Sequence, residues 1–171
     1  MNIDIHDDDY DLSPIIARPL YFALGVNVLA PMIILGICYY FHTRSPLDNK
    51  VGDFANSLFY LFVGLAATEA AFAYWLRYRT LHEPMIRREE TFVADFSEQL
   101  LVRSRPVFVI IAGISVYGYA YFYLTGRFPE AMLFVVTSFV VFQFVRPRFG
   151  GVRKILRHQK DLADRGQFFS G

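Results

Sequence analysis

Apolar residues along this chain of 171 residues gather into four long blocks rather than into the short periodic stripes of a soluble amphipathic domain. The blocks run from Pro19 to Phe41, Phe54 to Leu76, Val107 to Thr125 and Ala131 to Val145. A bilayer's hydrocarbon core takes about 20 helical residues, so each block predicts a spanning helix. The fourth is the shortest, and would cross with little tilt or thin the bilayer locally. The expected fold class is an all-α integral membrane protein, with four transmembrane helices as two antiparallel hairpins plus amphipathic cytoplasmic helices.

Between the blocks the pattern changes. The connections HTRSPLDNKVGD and TGRFPE are short and carry Pro, Gly or Asn, which suits turns between antiparallel helices. The longer connection spaces Met85, Ile86, Phe92, Val93, Phe96, Leu100 and Leu101 near helical periodicity among charges. It predicts an amphipathic helix lying on the membrane or extending a span. After the fourth block, Pro147, Gly150 and Gly151 interrupt the helix, and Val152, Ile155, Leu156 and Leu162 then share one face of a basic segment. The expected division is an acidic N-terminal tail at 1–18, a four-span domain at 19–146 with its amphipathic loop at 77–106, and a basic amphipathic tail at 147–171.

Net charge is only +1, but its distribution is uneven. Alternating the loops puts fourteen Lys and Arg on one side and only Arg44, Lys50 and Arg127 on the other. The excess of basic residues marks the cytoplasmic side, so both termini and the central loop are expected in the cytoplasm. The start, MNIDIHDDDYDLS, places five Asp before the first Arg, unlike the basic start of a cleaved signal peptide. The first block is therefore expected to be a retained span. A bacterial inner membrane fits the span lengths and the arginine asymmetry.

Within the blocks Glu69 is the only Asp, Glu, Lys, Arg or His. An ionised acid at the middle of a span costs roughly 2.5–3.5 kcal/mol on insertion scales, so Glu69 should face protein or water rather than lipid. It sits beyond the midpoint of its block, and Asn27 sits before the midpoint of the first, at matching depth on an antiparallel neighbour. Pro31 clashes with the carbonyl four residues earlier, that of Asn27. A neutral Glu69 could donate to that carbonyl or to the Asn27 amide. Gln143, with Ser115, Thr137 and Ser138, could extend a polar seam, although Ser and Thr tend to bond back to their own helix. The expected polar contacts are therefore Glu69, Asn27 and Gln143. Small residues including Gly64, Ala66, Ala67, Ala70 and Ala71 surround the glutamate. Gly64, Ala67 and Ala71 are read as a helix-packing face.

Other chemistry is sparse. Cys38 stands alone, and His6, His42, His82 and His158 lie at block ends or in loops, which argues against intramembrane haem or a metal centre. Tyr117, Tyr119, Tyr121 and Tyr123, with Tyr39 and Tyr40, read as an interfacial belt; a pocket for a lipid, quinone or pigment is the sharper alternative. No cofactor is expected. No phosphate loop, nucleophile turn or Cys-x-x-Cys occurs, so no catalytic set is assigned. Arg146, Arg148, Arg153, Lys154 and Arg157 are expected to meet lipid or a protein partner, not nucleic acid. These readings point to a non-catalytic membrane-embedded subunit or scaffold, with membrane lipids and other subunits or further copies of itself as partners. The alternative is a small oligomeric proton- or cation-coupled transporter using Glu69.

Overall fold

The computed structural model describes residues 12–169, and at Glu89 the backbone alone. The expected acidic tail at 1–18 thus falls largely outside the described residues. Among those described the chain is helical, without strands, and four helices are long and apolar enough to cross a membrane.

The first of them is composite. Helix α1 (Ser13–Leu24) passes through a wide π turn at Gly25–Leu29 into α2 (Ala30–Arg44). Pro31 explains the widening, because its ring lacks an N–H and crowds the carbonyl four residues back. The Ala30 N–H reaches Gly25 O instead, the longer loop of a π turn. Helix α3 (Ala55–His82) follows a short 3₁₀ turn at Gly52–Phe54. Asn49 shapes the approach, its Oδ1 accepting from the N–H groups of Val51 and Gly52.

Helix α4 (Phe92–Thr125) runs unbroken through the amphipathic loop into the third apolar block, with Pro106 inside it. Of the two arrangements the loop pattern allows, extension of the span is the one adopted. Gly126 then ends α4 in the left-handed conformation (φ 70°) and donates to Phe122 O at 2.7 Å. A Cβ there would collide with the Leu47 carbonyl, so conformation and space both require glycine. Helix α5 (Phe128–Val145) and helix α6 (Phe149–Asp164) complete the chain.

Helix α4 is the central element. It packs on α3, on α1 and α2, and most extensively on α5. Each buried apolar cluster takes residues from it: Phe96 and Leu100 at one end, then Val107, Phe108 and Ile111, then Ile114 and Tyr121, and finally Phe122 with Cys38 and Ala131. Gly118 lets α5 approach closely, since a Cβ there would meet Ala131 O at 2.7 Å. Within a bilayer such contacts stabilise through packing rather than exclusion of water.

The end rich in arginine is built differently. Leu12, just ahead of α1, and Ile15 and Ile16 within it join Leu81, Met85, Ile86, Phe96, Leu100 and Val152 in one buried cluster, with Phe92, Ile155 and Leu156 against it. The amphipathic faces of α4 and α6 therefore contribute to one cluster with the start of α1 and the end of α3, and α6 packs on α3. Three of these residues precede the first apolar block, and helix α1 begins ahead of that block. The cluster's residues lie outside the four apolar blocks of the sequence.

Leu100→Ala should cost about 2–5 kcal/mol through the cavity it leaves. Val102→Ala, at an exposed position of the same helix, should cost under about 0.5 kcal/mol. Equilibrium unfolding in mixed micelles checks both, and equal losses would show that the cluster is not a cohesive core.

Candidate intramembrane polar site

Glu69 projects from α3 toward α4, where Gly113 and Tyr117 stand one helical turn apart. Gly113 makes the space: a Cβ at that position would come within 2.7 Å of Glu69 Oε1. The Tyr117 phenol stands beside the carboxyl and interacts with it. Phe62, one α3 neighbour toward the opposite end, stacks on the Tyr117 ring with centroids 5.7 Å apart and planes at 14°, fixing the phenol's direction. The second carboxyl oxygen, Oε2, is buried and has no partner among the described residues.

Asn27 lies elsewhere. It is fully buried in the π turn, its Nδ2 donating to Ala23 O at 3.2 Å and its Oδ1 unpartnered. No described hydrogen bond joins Asn27 to Glu69. The first span packs mainly on α4 and α5, and α3 packs mainly on α4. Matching depth does not by itself bring two side chains together. Gln143 is half-buried on α5, and only its backbone carbonyl is engaged, by Arg148 Nη2 at 2.9 Å.

The interhelical polar bond in this region comes from Ser138 instead. Its hydroxyl, completely buried, donates across to Ile111 O on α4 at 2.9 Å. Ser115, by contrast, bonds back to Ala112 O, and Thr137 is exposed. The signal for Ser138 was its register: Ala131, Phe134, Val135, Ser138, Phe142 and Val145 are the buried positions of α5, a heptad-like spacing that puts the serine on the packing seam.

The small residues of α3 divide between two faces. Ala66 and Ala73 are buried against α4. Gly64, Ala67 and Ala71 are exposed on the other side, and Gly64 O accepts only the Thr68 hydroxyl besides its helical bond. The tyrosine run also divides: Tyr121 is buried, while Tyr119 and Tyr123 are exposed and stack at 6.5 Å. Among the described residues no three His, Cys, Asp or Glu side chains gather as metal ligands.

A second polar constellation holds the end of α3, and the sequence reading did not anticipate it. Arg103 of α4 donates to Thr80 O at 2.6 Å, to Pro84 O at 2.7 Å and to Glu83 O at 3.3 Å. Gln159 of α6, 1% exposed, donates to Leu81 O and Glu83 O and accepts from the Met85 N–H at 2.8 Å. The last carbonyls of a helix have no partner within it, and a cation there also complements the helix dipole. The tail cations Arg146, Arg148, Arg153, Lys154 and Arg157 are exposed, the last three on α6.

Compared with known protein families, with characterised proteins and with solved structures, the chain matches none.

Arg103→Gln should destabilise the protein by about 1.5–3 kcal/mol, the worth of hydrogen bonds from a charged donor. Ser138→Ala should cost about 0.6–1.7 kcal/mol, as interhelical bonds in membranes do. Unfolding in the same micelles ranks the two, and the reverse order would refute the capping role of Arg103.

Proposed function

We propose that the chain is a non-catalytic membrane-embedded subunit or scaffold of a larger assembly. The observation that carries this reading is the second face of α3: Gly64, Ala67 and Ala71 stay exposed although Ala66 and Ala73 already serve the contact with α4. Small residues let a further helix approach closely, and exposed Phe72, Tyr74 and Trp75 alongside them supply contact area. The occupant is another membrane subunit or a further copy of the chain. The arginine-rich end faces the cytoplasm, in keeping with the charge asymmetry, so both termini and α6 lie there, with the α4 and α6 amphipathic faces as the inner cap of four antiparallel spans. The host is a bacterial inner membrane.

Affinity capture from native membranes in mild detergent should recover stoichiometric partner chains or a homo-oligomer. Ala67→Leu should reduce that recovery without loss of expression. A monomer with no co-purifying chain would refute the assignment.

The carboxyl of Glu69 favours a second reading, a small oligomeric proton- or cation-coupled transporter, because Oε2 is buried without a partner beside the Tyr117 phenol. In proteoliposomes under a pH gradient, Glu69→Gln should then abolish flux while leaving assembly intact. Equal flux in both proteins rejects Glu69 as the carrier, and none in either rejects transport.

A further inference from the structure

Arg77 differs from every other arginine described at its end of the molecule. It is half-buried near the close of α3, and its Nη1 is buried with no hydrogen-bond partner. The described ion pairs employ Arg79, Arg103 and Arg127 with Glu83 and Glu130; none reaches Arg77. Burial weighs most on its charge, the Tyr74 phenol acts on it next, and the Arg148 guanidinium adds a like charge. A guanidinium whose buried nitrogen lacks a partner, with a like charge acting on it, calls for an anion.

The space beside it suits one. On one side lies a void of about 10 Å³ lined by Thr80, Arg103 and Ser104 among others, room for roughly one water. On the other side opens a recess of about 180 Å³ lined by Tyr74, Arg77, Tyr78, Leu81, His82 and Ile155. Liquid water occupies about 30 Å³ per molecule, so the recess admits a polyatomic group. Its rim is aromatic, with Tyr74 and Tyr78 at 64% and 61% exposure and Trp75 between them in sequence. Tyr and Trp favour the level of the lipid headgroups, which is also the level of their phosphates. An arginine fork matches a phosphate's paired oxygens better than an ammonium does.

We propose that the recess beside Arg77 binds a phosphate oxyanion, carried by the headgroup of an anionic phospholipid. Arg77 supplies the fork, Arg148 adds a second positive charge, and the rims of Tyr74 and Tyr78 shelter the glycerol and the first methylenes. This site lies between α3 and α6, inward of the exposed tail cations, and it does not depend on the subunit reading above.

The test is native mass spectrometry of the full chain in mild detergent, titrated in separate arms with phosphatidylglycerol, phosphatidylcholine and inorganic phosphate. The wild type should retain one phosphatidylglycerol per chain. Arg77→Gln should weaken it about tenfold to a hundredfold, the loss of one or two charge-assisted hydrogen bonds, Arg77→Lys should weaken it less, and Arg153→Gln should leave it unchanged. Displacement of the lipid by millimolar inorganic phosphate supports the oxyanion site with free phosphate as a second source. Unchanged binding in Arg77→Gln overturns the proposal, as does an equal drop in Arg153→Gln or equal retention of phosphatidylcholine. Should Arg77→Gln alter the elution profile, the exposed Arg148→Gln carries the same test; a several-fold drop supports the site and no drop overturns it.

Discussion

One helix imposes order on the others. Because α4 continues without a break from the polar loop through the third apolar block, it supplies residues to every described buried cluster, at both ends and between them. Backbone groups in lipid must be satisfied within their own segment, so a long unbroken helix is the least costly way to join a membrane core to a water-facing one. The two cores differ in their physics. In lipid, close fit would supply cohesion near Phe122 and Ala131, whereas in water its exclusion would do so near Phe96 and Leu100. The same rod transmits any tilt in one region to the other.

The arginine-rich end solves a separate problem. Helix α3 stops at His82, beside the polar surface, and its carbonyls would remain unpaired if the chain simply turned away. Arg103 and Gln159 meet those carbonyls from two different helices. A capping contact thus doubles as a tertiary one: α3, α4 and α6 are tied at a single turn, Glu83–Pro84–Met85. The tail also returns there, with the Phe169 N–H donating to Ile86 O and its ring under the guanidinium of Arg103.

What could be read in advance depended on whether the signal was local. Span-length apolar blocks report directly on lipid, and four helices of the right length and composition are present. The ends were harder. Leu12, Ile15 and Ile16 lie in a stretch whose acids dominate its composition, and only the partner cluster reveals that they are buried. Depth along a span was legible for Glu69 and Asn27, but rotation about the helix axis was not. Tyr117 and Gly113 meet Glu69 because α3 presents that face to α4, while Asn27 donates back to its own helix. Ser138 was discounted as a residue that bonds to its own helix, yet its position on the α5 seam directs the hydroxyl across. Arg103 and Gln159 are drawn together by chain segments far apart in sequence, which no local pattern encodes.

The π turn at Gly25–Leu29 has a geometric effect on the whole first span. Four of its buried positions, Pro19, Ala23, Asn27 and Pro31, recur at intervals of four residues. On a regular helix of 3.6 residues per turn, each such step would rotate the buried side by about 40°, so three steps would swing it well away from α4. The extra residue in the wide turn takes back about 100°, nearly cancelling the drift. The turn is thus a phase corrector, through which a proline in the middle of the membrane keeps a straight contact line on a helix whose sequence alone would spiral off it.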